Sequence, residues 1–262
     1  VLLVGAVAIL APWVTAQSPD VMDMEARLAT PSASHWLGTD NFGRDLWARI
    51  AFGARISLAI ALTSVVSGLA LGTLVGLVSG YFGGFVDHLL MRLVDLFLAF
   101  PPFVLALALV AMRGPGVSSV ILALAAIFWM EYARVVRAIT LSESRRDYVT
   151  AARSLGATHA NLLFRQILPR AFGPLAVLST LGIGTAIVAE SGLSFLGFGV
   201  EPPAPTWGWT LAYGMRYLRS HSWLSTAPGL AILTTVLGFN LFGDGLRDRL
   251  DPRGLVRSGK SS

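Results

Sequence analysis

The feature that most constrains this chain is a succession of apolar runs, each about as long as a lipid bilayer is thick. A hydrocarbon core of about 30 Å needs roughly 20 mostly apolar residues in a helix. Residues 56–79, 89–112, 117–137, 172–198 and 223–242 meet that requirement, and residues 1–16 form a sixth run that is apolar but short. Composition agrees. Only 13% of the 262 residues are charged and the mean hydropathy is +0.66, whereas soluble domains carry about 25% charged residues. Lipid is the expected main solvent, which argues against a cytosolic enzyme. The absence of cysteine removes disulfides, zinc–thiolate sites and a thiol nucleophile.

The expected organisation is a first transmembrane helix over 1–17, an external segment over 18–55, a five-helix core over 56–253 with a polar loop at 142–170, and a basic tail over 254–262. The chain begins on Val1, and a longer first helix with a basic tail before it is expected. A cleaved signal is the rival reading, since Val14-Thr15-Ala16 resembles a small-residue cleavage site, but no positive region precedes it. Within the external segment, Trp36, Phe42, Leu46 and Ile50 approximate the buried side of an amphipathic interfacial helix. Placing both termini in the cytoplasm puts 13 of the 20 basic residues inside, the sense that the positive-inside rule demands. Every tryptophan except Trp129 then falls at or beyond the outer end of a span. An aromatic belt at the interface explains that pattern.

Ser64, Gly68, Gly72, Gly76 and Gly80 recur every fourth residue and predict a seam where another helix backbone approaches closely. Pro101-Pro102 removes two backbone donors and should kink or break the third span, as a hinge or as a fixed bend. Three acids lie in or near apolar runs, where each is costly. Asp95 can turn toward Arg92, and Glu131 can pair with Arg134 three residues on. Glu190 has no basic residue within a turn, so it needs a partner on another helix, a water-lined path or a proton.

The loop between the fourth and fifth runs is too polar for the bilayer. Tyr148, Ala151, Ala152 and Leu155 share one apolar face of a short helix, with Arg146, Asp147, Thr150 and Arg153 opposite. Gly156 is placed to stop that helix. Ala160, Leu163, Phe164 and Ile167 repeat the stripe, and Pro169 marks the second helix's end. Two readings fit: an amphipathic loop lying on the membrane, or a knob whose small residues Ala151, Ala152 and Gly156 let a cytoplasmic partner come close.

Tyr148-Val149-Thr150-Ala151-Ala152-Arg153-Ser154-Leu155-Gly156, followed by Ile167-Leu168-Pro169, resembles the EAA loop of binding-protein-dependent ABC importer permeases. Thr150 stands where that motif carries glutamate, which replaces a carboxylate with a hydroxyl. HWLGTDNFGRDLWARIAFGARISL at 35–58, SGYFGGFVDHLLMRLVD at 79–95, ESGLSFLGFGVEPPAPTWG at 190–208 and GDGLRDRLDPR at 243–253 narrow the resemblance to the C-type permease subunit of dipeptide, oligopeptide and nickel importers.

The resemblance implies an all-α integral membrane protein with six transmembrane helices, the type I ABC importer permease fold, and a cytoplasmic coupling helix. It also implies a second homologous permease subunit in a heterodimer, ATPase subunits (separate or fused) that bind ATP and Mg, and an external substrate-binding protein. The location implied is a bacterial or archaeal inner membrane. Cargo would be di- or oligopeptides, with nickel chelates, glutathione-like peptides or haem as alternatives. The expected ATPase-coupling residues are Asp147, Tyr148, Thr150, Ala151, Ala152, Arg153, Gly156, Ala157, Ile167 and Pro169. Glu190, Pro101 and Pro102 are candidates for the translocation path.

Neither a catalytic nor a metal site is expected in this chain, nor a cofactor or nucleic-acid partner. Its histidines, His35, His88, His159 and His221, form no ligand set. Gly254–Ser261 matches the phosphate-loop pattern G-x-x-x-x-G-K-[ST] literally, but the chain ends one residue later, leaving no helix to present its amides. An ion-driven transporter is the alternative from another class, yet only one proline-broken span is present and no repeated half.

Overall fold

The computed structural model describes residues 1–250, and all regular structure among them is helical apart from one isolated bridge between Thr39 and Asp45. The tail over 254–262, with its phosphate-loop match, lies outside the described residues. Helices α1 (Leu2–Val14), α2 (Leu46–Phe82), α3 (Gly84–Leu98), α4 (Pro102–Arg113) and α5 (Val117–Glu143) come first. The short α6 (Asp147–Ser154) and α7 (His159–Asn161) follow, then a π-helical stretch over Leu162–Ile167 that runs into α8 (Leu168–Phe195). The last two are α9 (Trp207–Met215) and α10 (Trp223–Leu250).

Among the described residues, four helical stretches are long and apolar enough to cross a membrane: α2, α5, α7 through α8, and α10. The third expected span is broken. Helices α3 and α4 meet at 87°, because the residue before a proline avoids helical geometry and Pro101-Pro102 leaves two backbone acceptors without donors. Helix α1 has 13 residues, less than a bilayer crossing needs.

The chain forms two compact units. One comprises Val1–Thr63, Leu107–Ala123 and Ile183–Asn240. Here the expected interfacial helix is corrected, since helical structure starts only at Leu46 and Trp36 and Phe42 lie in an irregular segment. Gly38 and Gly43 adopt φ of 75° and 72°, a region open to glycine at little cost. Between them, the Asp40 carboxylate accepts the N–H groups of Phe42 and Arg44 at 2.8 and 3.0 Å and the Arg44 side chain at 2.7 Å. Those amides are thereby withdrawn from any helix. Asp45 then caps α2, its Oδ1 accepting Ala48 N–H at 2.7 Å. Leu46 and Ile50 are buried with Leu224, on the first turns of α2 itself.

The second unit comprises Ser64–Ala106, Leu124–Gly182 and the described residues from Leu241 on. Its seam is the glycine stripe on α2. A Cβ added at Gly72 would fall 2.4 Å from Trp129 O, and one at Gly76 would fall 2.6 Å from Ala133 O. The two backbones of α2 and α5 are thus in direct contact. Val94, Trp129, Met130 and Ala133 form a buried cluster nearby, with Phe97 edge-on to Trp129.

The ionic pairing in this unit differs from expectation. Arg134 reaches Asp95 on α3 at 2.7 Å rather than Glu131, so Asp95 is paired across helices and not with Arg92. Asp87 accepts two hydrogen bonds from Arg137, at 2.5 and 2.6 Å, and one from Ser79. For the largely buried Asp87 carboxylate this two-pronged partner satisfies hydrogen bonds that water does not reach, whereas Arg134 and Asp95 are each about half exposed.

Candidate functional site

The polar loop folds into an elbow of two helices. Asp147 sits in the first turn of α6, where a carboxylate complements the helix dipole. The helix closes at Leu155 with Gly156 at φ +83°. Gly156 N–H bonds to Arg153 O and Ala157 N–H to Ala152 O, both at 3.0 Å. This pair of bonds satisfies the last carbonyls through a left-handed glycine. Thr158 opens α7, its hydroxyl accepting Asn161 N–H at 3.3 Å. The connection between the helices is only four residues long, 155–158.

Side chains fasten the elbow within its own unit. Val149, Leu162, Leu163 and Ile167 are buried, and α6 packs against the π-helical stretch. Tyr148 donates to Glu143 at 2.6 Å and lies under the Arg170 guanidinium, 5.7 Å from the ring centre. Burial, together with the hydrogen bond that the protonated phenol donates to the Glu143 carboxylate, raises the Tyr148 pKa above its ordinary value. Arg153 lies over the Tyr81 ring at 5.6 Å, and Tyr81 is hydrogen-bonded to His159 Nδ1 at 2.8 Å. The end of α2 thus touches both arms of the elbow.

The apolar face expected over Tyr148, Ala151, Ala152 and Leu155 turns mostly outward. Ala151 is exposed and Leu155 is 88% exposed, while Ala152 is half-buried and Val149 provides the inward anchor. In the second arm Leu163 and Ile167 point inward as expected, but Ala160 and Phe164 are exposed and Leu162 is buried. The π-helical geometry explains the shift, since each wider turn moves the buried face along the chain. Nor does Pro169 end that helix. It lies in the first turn of α8, exposed, directly after the π stretch, where its missing N–H costs little.

Of the expected coupling residues, Asp147, Thr150, Ala151, Arg153 and Gly156 are exposed, and Tyr148, Ala152 and Ala157 are half-buried. Ile167 is fully buried, so it fastens the elbow instead of offering a contact. Sequence reading missed Tyr81, His159, Glu143 and Arg170 as supports. The Gly83-Gly84 turn beside Tyr81 was a local signal for that residue alone.

Residues 72–255 match the family described as binding-protein-dependent transport system inner membrane component. The chain belongs to that family. The permease is 41% identical over 247 residues to a dipeptide transport system permease of Alkalihalophilus pseudofirmus, covering 94% of this chain and 81% of that one. It is 44% identical to a di/tripeptide transport system permease of Pseudomonas aeruginosa, covering 96% and 85%. An inward-facing structure of the MetNI methionine ABC transporter matches 78% of this chain and 96% of its own, with a TM-score of 0.63 and 18% identity. That likeness shows the shared type I fold. The chain is therefore an all-α, multi-pass permease subunit of an ABC transporter, a non-catalytic membrane component.

Glu190 lies in the permease's other compact unit and is completely buried. Its carboxylate accepts hydrogen bonds from Ser194 at 2.8 Å and Ser57 at 3.4 Å. Ser57 in turn accepts Trp207 N–H at 3.3 Å, and the Trp207 indole donates to Ile50 O at 2.9 Å. Small residues make this possible: a Cβ at Gly53 would fall 2.3 Å from Pro205 O, and one at Gly208 2.6 Å from Ser194 Cβ. The knot joins α2, α8 and the start of α9. Such enclosure favours the hydrogen-bonding reading of Glu190 over direct contact with cargo. Pro101 and Pro102, by contrast, are exposed at the break between α3 and α4.

Proposed function

We propose that the permease imports di- and oligopeptides, driven by ATP that partner ATPase subunits bind with Mg and hydrolyse. The peptide substrates named for both relatives support the cargo class. In this reading a second permease subunit completes a heterodimeric path, an external binding protein delivers cargo, and both termini and the elbow face the cytoplasm. The arginine bias supports that orientation. The domain plan from the sequence stands in the same reading: external segment 18–55, core 56–253 and coupling loop 142–170.

The observation that carries the proposal is a projecting shoulder of Ala151, Leu155 and Gly156 on a firmly fastened base. An exposed leucine beside small residues suits a partner's apolar cleft, and the surrounding arginines suit acidic ground on its rim. Asp147, Tyr148, Thr150, Ala152, Arg153 and Ala157 complete the contact or brace it, while Ile167 and Pro169 hold the second arm. Closure of the ATPases would move the shoulder, and the Arg153–Tyr81–His159 contacts would carry that displacement into α2. Pro101 and Pro102 are assigned to the translocation path. Glu190 joins it only if α2 and α8 part at Ser57.

Ala151→Arg and Gly156→Asp test this in the assembled transporter, reconstituted with its ATPases and binding protein. Uptake and cargo-stimulated ATP hydrolysis should both fall by about tenfold or more, with the amount of inserted permease unchanged. Wild-type uptake in both variants would overturn the proposal.

A further inference from the structure

Three of the seven tryptophans, Trp13, Trp36 and Trp47, line one cavity of about 370 Å³ at the junction of α1 and α2. Interfacial indoles are ordinary one at a time. Convergence on a single cavity is a separate observation, and the size falls within the range of small-molecule sites. Trp47 is fixed by its indole N–H, which donates to Val14 O at 3.1 Å. Its ring lies 6.0 Å from that of Trp36 at an interplanar angle of 37°. Trp13 and Trp36 remain 76% and 65% exposed, which leaves much of their indole surface free for a ligand.

The same cavity is lined by Asp45. This carboxylate is rigid: Oδ1 accepts Ala48 N–H at 2.7 Å and Oδ2 pairs with His35 Nδ1 at 2.9 Å. A carboxylate offers about four acceptor positions, so acceptor capacity remains beyond these two partners. Among the described residues, no lysine or arginine lines the cavity. Electron-rich ring faces beside a carboxylate, with no such side chain among the described lining residues to compete for it, form a receptor for an alkylammonium group. The approach is apolar, because Leu2, Leu3 and Ile9 on α1 are 90%, 78% and 69% exposed and would lie along acyl chains.

We propose that this cavity binds the ammonium headgroup of a phosphatidylethanolamine, whose acyl chains run along α1. The lipid would hold α1 against the start of α2 through Trp47 and Asp45.

The test is native mass spectrometry of the whole transporter, extracted from membranes and exposed to equimolar phosphatidylethanolamine and phosphatidylglycerol. One phosphatidylethanolamine per permease should be retained in preference. Trp36→Ala and Asp45→Asn should each weaken retention by about tenfold, whereas Trp36→Phe should keep most of it. A photoreactive phosphatidylethanolamine should label wild-type residues 13–17 or 33–47. Equal retention of phosphatidylglycerol, wild-type retention in both variants, or labelling confined to other segments would overturn the proposal. Displacement of the lipid by dialanine would overturn it too, reassigning the cavity to the amino terminus of a peptide.

Discussion

Glu190 and the elbow helix α6 are both polar insertions in an otherwise oily chain, and they are handled in opposite ways. The Glu190 carboxylate finds its partners inside the protein: Ser57 and Ser194 donate to it, and Trp207 N–H donates to Ser57. Around α6 only the base is treated so, through Tyr148, Glu143 and the cluster of Arg153, Tyr81 and His159. The summit keeps Ala151, Leu155 and Gly156 uncovered. A buried acid without partners is costly in a medium that cannot hydrate it, so the knot must be closed. The elbow stands where water or a second protein can complete it, so it can stay open. One region therefore contributes stability and the other offers a surface.

That contrast yields substitutions of graded effect. The largest belongs to Glu190→Leu, which strands the Ser57 and Ser194 hydroxyls in a closed site. It should destabilise the permease by about 3 kcal/mol, read as a lower melting temperature in detergent. Glu190→Gln retains an acceptor and should lose no more than about 1 kcal/mol; equal melting of Leu and wild type would erase the distinction. Next comes Gly156→Ala. Its site has open space for a Cβ but φ of +83°, so only backbone strain of about 1 kcal/mol applies. A larger loss would mean the elbow is braced more tightly than its exposure indicates. Smallest in stability is Leu155→Ser, expected within about 0.5 kcal/mol of wild type because the side chain is 88% exposed. In the reconstituted transporter the same change should still lower cargo-stimulated ATP hydrolysis, which separates a docking residue from a structural one.

Much of this was legible in the residues. The glycine stripe from Gly68 to Gly80 announced its own seam, because four-residue spacing leaves no other face for a backbone to approach. Pro101-Pro102 likewise announced the break, and Gly156 the end of α6. Other positions misled for equally physical reasons. Periodicity grouped Leu155 with Ala152 and Tyr148 but could not say whether that face turned inward; Val149, one residue away, was the anchor. The second arm drifted because a π-helical stretch has a period that no 3.6-residue template anticipates. Arg134 passed over the nearby Glu131 for Asp95, a partner 39 residues distant in sequence.

The sequence by itself determined that the chain lives in lipid, roughly where its long apolar helices run, which helix face is small enough for backbone contact and where a polar elbow interrupts the apolar runs. Those are local properties, set by hydropathy, spacing and the dihedral preferences of glycine and proline. Only the tertiary structure decided the partners: Ser57 for Glu190, Asp95 for Arg134, Tyr81 for Arg153, and three indoles for one cavity. Pairing of this kind depends on distances across helices, and a one-dimensional pattern carries no information about which turn of one helix will face which turn of another.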